Sequence, residues 1–483
     1  MWVGVGAMAV AVLALHLATN AQYDFHRDSL YYMDSARHPA WGFVDYPPVT
    51  PTIARLSLWI FGTSVWGLRL WPSLVGAVLV LLSALIAREL GAGRAGTMLA
   101  AAAAATSLVL LGANWLFQTV TFDQLVWMTA LWVLARLIRT LDRRLWIALG
   151  ASVGIGLETK YTVIALIVGV VAAVLLTPLL RRDLLTPWPW IGAALALLIF
   201  APNLVWQLQN DWPSVQYTLN HKSAQSVDFS PIAFLTDQLA LIGPVAIPLW
   251  IWGLWWLLKS SERRPLAIAA AVPFLIYLFV GKSYYVGPLH PFLLTAGVCA
   301  LEQWTLTRRR WLRPAAAVGL TAQAIILLPI ALPLLPESVM ATSQVASIRK
   351  DFADTVGWHD LVHQVAEIYD SLPATERATA VILTDNYGEA GAINAYGAAA
   401  GLPRAYSYEL TYWYWKPPSL SGTVIAVGID RTYLATFFRT CSEAGSITNS
   451  YGLHNEEYGK PLSVCHALKL SFAETWARLK AFQ

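Results

Sequence analysis

The chain alternates long apolar runs with short polar stretches up to about residue 336. About eleven of these runs approach the ~20 apolar residues that a helix needs to cross a bilayer. The expected spans are 2–19, 67–87, 95–114, 120–138, 145–158, 160–178, 188–206, 236–258, 265–281, 286–304 and 314–335. The pattern therefore predicts a polytopic α-helical membrane protein.

Residues 337–483 have a different pattern, in which short β-branched runs alternate with helical stretches. The expected strands are 379–384 and 422–427, and the expected helices lie near 358–372, 387–399 and 430–438. Such alternation is typical of a small α/β domain. We place the boundary after Pro336, which gives a transmembrane domain (1–336) and a soluble domain (337–483).

Composition agrees with this division. The chain is 57% hydrophobic and 13% charged, whereas a globular chain is about 45–50% apolar and about 25% charged. A soluble single-domain enzyme is therefore excluded, and three cysteines exclude a disulfide-stapled miniature protein. The tail holds 26 of the 62 charged residues, so the net charge of +4 is less informative than where the charges lie.

Basic residues indicate the topology. Of the 22 Lys and Arg residues in the first 336 positions, 15 lie in five alternate loops, at 88–94, 136–144, 181–182, 259–264 and 308–313. By the positive-inside rule these loops are cytoplasmic, so the N-terminus lies inside and the tail outside. The first run could instead be a signal peptide, but no Lys or Arg precedes Arg27, which favours a retained span.

The remaining polar residues of the membrane part gather in the outer loops, of which the first, 20–66, is the longest. Five loops contribute ionisable groups to this one face, among them Asp28, Asp123, Lys160, Asp211 and Lys282. Ionisable groups at membrane depth are costly and point to function. A carboxylate can act as general base on an acceptor, while cations hold a phosphate leaving group. The chain has no Gly-rich phosphate loop, so a soluble nucleotide donor is not expected.

The run YDFHRDSLYY at 23–32, continued by WGFVDYPP at 41–48, resembles the first outer loop of bacterial family 39 glycosyltransferases. Three further segments follow in the family's order, and a fourth is similar to the outer domain of one bacterial branch: GLETKY at 156–161, APNLVW at 201–206, GKSYY at 281–285 and NYGEA at 386–390. The family has the GT-C fold and is related to the protein O-mannosyltransferases and the lipid A aminoarabinose transferase.

The resemblance implies a polyprenyl-phosphate sugar as donor, with Asp28 as the catalytic acid-base residue and Asp123 as a second acidic position. Two positions depart from the family. Many members have Asp-Glu where this chain has Asp28-Ser29, and the aminoarabinose branch has an Arg where Tyr31 stands. These departures argue against copying the lipid A acceptor.

Position suggests roles for the other polar groups. The expected phosphate ligands are Lys160, Lys282 and Arg27, and the expected substrate contacts are Tyr32, Tyr284, Tyr285 and Asp211. Simpler alternatives stay open: Asp123 could cap a helix, Lys160 could extend to the headgroups, Lys282 and its tyrosines could anchor at the interface, and Arg27 could pair with an acid.

Other acids of the first outer loop have simpler interpretations. Asp24 and Asp34 are expected to be loop charges, and Asp45 is expected to be structural because the following Pro pair stiffens the chain. No cofactor or metal is expected, although a divalent metal on Asp28 and Asp123 is a less favoured alternative. Two tail cysteines, Cys441 and Cys465, form either a disulfide or two buried thiols, and Cys299 is expected to pack as a small apolar residue.

We therefore expect an inverting glycosyltransferase in the inner (cytoplasmic) membrane, with Asp28 as general base. Its partners would be a polyprenyl-phosphate sugar, an acceptor glycan, lipid or protein, and membrane lipid, but no nucleic acid. Two alternatives remain. Polytopic topology also suits a lipid or glycolipid transporter or flippase, although transporters place polar groups near the bilayer midplane. A non-catalytic envelope protein with a glycan-binding tail is the third interpretation.

Overall fold

The computed structural model describes residues 1–225 and 230–482. Its first part is helical, with two short 3₁₀ helices at Arg182–Leu185 and Ser283–Val286. The α-helices are α1 (Trp2–Thr19), α2 (Arg27–Arg37), α3 (Val49–Phe61), α4 (Val65–Glu89), α5 (Arg94–Ala105), α6 (Leu108–Ala113), α7 (Thr119–Thr140), α8 (Leu145–Leu157), α9 (Val163–Leu176), α10 (Pro178–Arg181), α11 (Trp188–Gln209), α12 (Pro213–Gln225), α13 (Pro231–Ile242), α14 (Ala246–Lys259), α15 (Arg264–Val280), α16 (Leu289–Trp304) and α17 (Leu312–Ala331).

Every predicted apolar run contains helix. Among the described residues, five helices are long and apolar enough to cross a membrane by themselves, namely α1, α4, α7, α11 and α17. The number is up to seven if each of two bent helix pairs counts as one span. Other predicted spans correspond to shorter helices, such as α8 with 13 residues. The structure thus has several membrane-length helices, and the count of eleven stays a prediction.

Three predicted spans differ in detail. The run 95–114 is divided between α5 and α6 at Thr106. The run 236–258 is bent by 110° between α13 and α14, because Gly243 ends α13 with a positive φ of 82° and Pro244 follows it. The run 160–178 becomes α9 only from Val163, so Lys160 lies in the connection between two helices.

The first outer loop folds into α2 and α3. The N-cap of α2 is His26, whose ring nitrogen accepts a hydrogen bond from the backbone N–H of Asp28 at 3.2 Å. Buried Arg69 of α4 donates from Nη1 to the carbonyl oxygens of Asn20 and Tyr23, both at 2.7 Å. These bonds fix the chain where it leaves α1, so the start of α2 has a defined position.

The tail is an α/β unit, as predicted. Its helices are α18 (Glu337–Thr342), α19 (Val345–Ile348), α20 (Lys350–Ala353), α21 (Trp358–Ser371), α22 (Ala374–Arg377), α23 (Tyr387–Tyr396), α24 (Arg431–Phe437) and α25 (Phe472–Leu479), with 3₁₀ turns at Gly397–Ala400 and Leu410–Trp415. Its strands are β1 (Val381–Thr384), β2 (Ala405–Ser407), β3 (Val424–Val427), β4 (Phe438–Ser446) and β5 (Pro461–Leu468).

The sheet has the order β2-β1-β3-β5-β4, in which β1 is parallel to β2 and β3 while β5 is antiparallel to β3 and β4. Both predicted strands and all three predicted helices of the tail are confirmed. The β4–β5 hairpin was not predicted, because β4 (FRTCSEAGS) has few β-branched residues. Buried apolar side chains of the two parts form a continuous core, so the division after Pro336 stays a prediction.

The tail packs directly on α2. A Cβ added to Gly391 of α23 would lie 2.7 Å from the Leu30 Cβ, so only glycine allows the two helices to come this close. The Asp34 side chain, which is 1% exposed, accepts hydrogen bonds from Asn394 Nδ2 at 2.6 Å and from the Tyr412 hydroxyl at 2.5 Å. Asp34 therefore anchors the tail instead of standing free in a loop.

Asp24 has a similar role, because its carboxylate accepts a hydrogen bond from Tyr396 and lies 3.4 Å from His359 Nε2. The aromatic segment near residues 408–415 also covers the first outer loop. There the Thr411 backbone N–H donates to the Tyr31 hydroxyl at 3.0 Å, and Trp415 stacks on His38 with ring centroids 4.3 Å apart.

Cys441 and Cys465 form a disulfide across paired positions of β4 and β5, while Cys299 is a buried free cysteine. A bridge between positions separated by 24 residues should stabilise the folded chain by about 3 kcal/mol. We expect a reducing agent to lower the melting temperature of the purified protein. The variant with both cysteines changed to serine should melt at the lower temperature with or without reductant, as measured by differential scanning fluorimetry. An equal response of both proteins to reductant would contradict this prediction.

Candidate active site

Asp28 lies in the first turn of α2, and its side chain is 31% exposed. Its Oδ1 accepts a hydrogen bond from the Tyr387 hydroxyl at 2.9 Å, and its Oδ2 lies 4.0 Å from His26 Nδ1. The carboxylate is thus oriented on one side by the tail and remains accessible. This combination suits a group that must contact a substrate.

Tyr387 is itself held in place by several contacts. It is the first residue of α23, whose N-cap Asn386 forms a capping box with Glu389. The Tyr387 backbone N–H donates to Glu409 Oε2 at 2.9 Å. Its ring stacks on Tyr31 with centroids 4.7 Å apart, and the Arg27 guanidinium lies 4.9 Å from the ring centre.

A second carboxyl group, that of Asp45, lies near Asp28. The Tyr31 hydroxyl donates to Asp45 Oδ1 at 2.9 Å. Burial raises the pKa of Asp45 to about 8, and the carboxylates of Asp28 and Glu409 add to the increase. Asp45 is therefore mainly protonated at neutral pH, where a protonated carboxyl cannot serve as a base.

Lys160 lies in the connection between α8 and α9. Its Nζ lies 5.5 Å from the ring centre of Tyr284 and 5.1 Å from that of Tyr285. Burial lowers the pKa of Lys160 to about 8, and the positive charge of Lys282 acts in the same direction, whereas Asp123 and Asp28 oppose the decrease. Burial also lowers the pKa of Lys282, whereas the negative charge of Asp28 acts to raise it.

The structure thus brings together most of the predicted residues. The charges of Asp28, Asp123 and Lys282 all affect the pKa of Lys160, so these four side chains interact electrostatically. The sequence places them in four separate outer loops. Two acids and two cations thus share a partly buried region bordered by tyrosines. Such a region can accommodate a phosphate beside the lysines and a hydroxyl group beside Asp28.

Asp123 lies one turn inside α7, whose N-cap is Gln118, so the helix-cap alternative for Asp123 is wrong. The carboxylate projects from the helix toward the next connection. Its Oδ1 accepts from Trp127 Nε1 at 3.0 Å and its Oδ2 from the Thr162 hydroxyl at 2.7 Å. Asp123 is held by neutral donors next to Lys160, which fits a role in orienting that lysine.

The other three predicted residues have different surroundings. Arg27 forms an ion pair with Glu456, the alternative raised from sequence. Tyr32 is buried, and its ring centre lies 4.9 Å from that of Tyr46. Asp211 lies at an exposed turn before α12 with a φ of 60°, and its carbonyl oxygen accepts from Gln216 Nε2 at 2.6 Å.

Sequence reasoning did not assign Tyr387 and Glu409 to the site. Tyr387 is separated from Asp28 by 359 positions, and the pairing depends on how α23 packs on α2. The NYGEA segment marked the correct turn, but nothing in its residues indicated that the tyrosine reaches Asp28.

The sequence left a metal site on Asp28 and Asp123 as a less favoured alternative. Among the described residues, no group of three or more His, Cys, Asp or Glu side chains could hold a metal ion. Asp28 and Asp123 thus have no third ligand of these types there.

Comparisons with known proteins identify proteins similar to this chain. The family model described as dolichyl-phosphate-mannose-protein mannosyltransferase matches residues 45–206. The lipid A galacturonosyltransferase RgtD of Rhizobium johnstonii is 24% identical over 430 residues, covering 82% of this chain and 85% of that protein. These matches relate the chain to glycosyltransferases of the GT-C type.

Solved structures show that the fold extends over the whole enzyme. ArnT from Cupriavidus metallidurans bound to undecaprenyl phosphate is 16% identical, with a TM-score of 0.56 over 97% of this chain and 99% of ArnT. The apo form gives a TM-score of 0.58 over 96% and 98%. The match covers the helical part and the tail together, so both belong to one fold. The membrane-length helices among the described residues fit a multi-pass membrane protein. The matching family model and RgtD are both named as transferases, so they give no support to the transporter interpretation.

Proposed function

We propose that this enzyme transfers a sugar from a polyprenyl-phosphate donor to an acceptor, with inversion at the anomeric carbon and Asp28 as general base. The observation that carries the proposal is the accessible carboxylate of Asp28 in the same partly buried region as Lys160 and Lys282. The ArnT structure with bound undecaprenyl phosphate has the same fold and supports a lipid phosphate as leaving group.

Each group has one role in the reaction. The acceptor oxygen attacks the anomeric carbon while its proton moves to Asp28, and the bond between that carbon and the phosphate oxygen breaks. The lipid phosphate leaves with the bonding electrons, and Lys160 and Lys282 offset its negative charge. Asp123 orients Lys160, and Tyr284 and Tyr285 border the phosphate position.

We further propose that about eleven helices cross the bilayer, with the N-terminus in the cytoplasm and the tail outside. The distribution of Lys and Arg residues supports this orientation. The curated relative RgtD acts on lipid A, so an outer-leaflet glycolipid is the acceptor class to test first. The departures at Ser29 and Tyr31 favour an acceptor position different from that of the aminoarabinose branch.

A direct assay tests the function. Purified protein is incubated with undecaprenyl-phosphate sugars and an acceptor glycolipid, and both the released lipid phosphate and the sugar's anomeric configuration are measured. The proposal expects release of undecaprenyl phosphate together with an inverted product. Retention of configuration would contradict the single displacement, and the absence of transfer from a full set of lipid-linked sugars would contradict the donor class.

The Tyr387→Phe variant tests the contribution of the tail. It retains the ring that stacks on Tyr31 but removes the hydroxyl that donates to Asp28. We expect kcat to fall by about five- to tenfold, because a hydrogen bond to a charged group is worth roughly 1.5–3 kcal/mol and water replaces part of it.

Tyr412→Phe is the matched control, because Tyr412 donates to Asp34 at the interface between the tail and α2. Its loss should lower the melting temperature while kcat stays close to the wild-type value. The same kcat in wild type and Tyr387→Phe would show that Tyr387 serves packing only.

A further inference from the structure

A shallow groove of about 470 Å³ lies beside α2 and α3, away from the acids and lysines of the active site. Its lining includes two arginines and two large apolar side chains, with a short turn at one end: Arg37, Arg55, Leu58, Trp59 and Thr63. The proposed reaction uses none of these residues. The transfer reaction therefore does not account for the arginines and apolar side chains of this groove.

The surroundings place the groove at the level of the lipid headgroups. Its end at Thr63 directly precedes α4, one of the membrane-length helices. At that end Trp66 Nε1 donates to the carbonyl oxygen of Leu17, near the last residue of α1. Trp59 is 82% exposed and Trp41 is 63% exposed. Exposed tryptophans of this kind are enriched where a membrane protein meets the headgroup layer.

The two arginines face the groove in different ways. Arg37 is oriented, because its Nη1 donates to the buried Asp34 at 2.7 Å while its side chain remains 35% exposed. Arg55 is exposed and, in the described ranges 1–225 and 230–482, forms no ion pair. A guanidinium has five N–H donors arranged for planar, bidentate binding of phosphate. Arg37 thus keeps unused N–H donors beside the one that binds Asp34, and all five N–H donors of Arg55 are available to a ligand.

The two arginines of the groove also differ in location from most basic residues of the membrane part. Most basic residues of the membrane part lie in the five loops assigned to the cytoplasm, and only seven of 22 lie elsewhere. Of those seven, Lys160 and Lys282 belong to the active-site region, Arg27 pairs with Glu456, Arg69 binds backbone carbonyls and Lys222 lies on α12. Extension to the headgroups would account for one exposed arginine. Two arginines that line the same groove with Leu58 and Trp59 indicate a ligand with an anionic head and an apolar body.

We propose that this groove binds the phosphate-bearing headgroup of an anionic membrane lipid, with Arg37 and Arg55 on the phosphate and Leu58 and Trp59 against the acyl chains. Two guanidinium groups in one groove can bind a lipid phosphate through charge-assisted, bidentate hydrogen bonds. The apolar half of the lining favours a lipid over free phosphate. The proposal is independent of the transfer reaction. It does have a structural consequence, because α2 carries Arg37 about 14 Å along its axis from Asp28, so a bound lipid should stabilise the helix that holds the active-site acid.

The test uses the purified full-length protein in detergent. Its melting temperature is measured during titration with phosphatidylglycerol, with phosphatidylcholine of the same acyl chains, and with inorganic phosphate. We expect phosphatidylglycerol alone to raise the melting temperature. Arg55→Glu and Arg55→Gln should weaken the apparent affinity for phosphatidylglycerol by about tenfold or more. The Gln variant adds no negative charge and serves if the Glu variant folds poorly.

Arg439→Glu is the matched control, since Arg439 is an exposed arginine on the tail, in β4, where it cannot contribute to the groove. It should respond to phosphatidylglycerol like wild type. Unchanged affinity in both Arg55 variants would overturn the proposal, as would an equal response of the wild type to both lipids. An equal shift with inorganic phosphate would show that the groove takes a free anion and not a lipid.

Discussion

Asp28→Asn should abolish sugar transfer while leaving the protein folded. Asparagine has the shape of aspartate, and its carbonyl oxygen can still accept the hydrogen bond that Tyr387 donates at 2.9 Å. What it cannot do is take a proton from the acceptor. General-base catalysis contributes about 10²–10⁴ to rate, so we expect kcat to fall by that factor. Release of undecaprenyl phosphate measures the loss, and an unchanged melting temperature shows that the fold is retained.

Asp45→Asn is the matched control for this experiment. Asp45 is the other carboxyl group beside the Tyr31 and Tyr387 pair, and its pKa of about 8 keeps it mainly protonated at pH 7. Asparagine closely resembles a protonated aspartic acid, so this variant should keep its activity within about tenfold of wild type. If Asp45→Asn were inactive and Asp28→Asn active, the general base would be Asp45, and the assignment made here would be wrong.

The architecture was largely accessible from sequence because bilayer thickness fixes how long an apolar run must be. All eleven runs contain helix, and the tail elements were predicted correctly at β1, β3, α21, α23 and α24. Errors arose where one residue changes the direction of the backbone. Gly243 and Pro244 bend a continuous apolar run by 110°, and average hydrophobicity over the run does not reveal such a bend.

The sequence predicts the part of the site that the membrane domain contributes, but not the part that the tail contributes. Asp28, Asp123, Lys160 and Lys282 could be gathered from sequence, because topology assigns their loops to one membrane face. Tyr387 could not be assigned, because its contact with Asp28 requires α23 to approach α2 at Gly391. That approach depends on three-dimensional packing over a separation of 359 positions, for which a single sequence carries no periodic signal.

The raised pKa of Asp45 was also beyond what the sequence could predict. Its sequence context, before two prolines, correctly suggested a structural constraint, but a raised pKa arises from burial and from neighbouring carboxylates. Glu409 is one of those neighbours, and it belongs to the tail. The electrostatics of the site are therefore a property of the assembled chain, shared between the membrane part and the tail.

Lys160→Met should have the second largest effect, because it removes a buried cation from the phosphate position. Loss of one preorganised charge-stabilising group costs about 10²–10³ in rate, and we expect a decrease of that size in kcat/KM for the lipid donor. If the single variant folds poorly because Asp123 loses its cationic neighbour, the double variant Lys160→Met/Asp123→Asn restores neutrality and should show the same kinetic defect. Lys259→Met, at the end of α14, is the control and should behave like wild type.

The pH dependence distinguishes a charge on Lys160 from a packing role. The pKa of Lys160 is lowered to about 8, so the free enzyme loses this positive charge as the pH rises through 8. In wild type, kcat/KM should therefore fall above about pH 8, because the lysine must be protonated to bind the donor phosphate. Lys160→Arg stays charged across this range, so its profile should lack the fall at high pH even if its rate is lower. A fall with the same midpoint in both proteins would assign the titration to another group, such as Lys282, and would contradict the prediction that the charge on Lys160 sets the pH dependence.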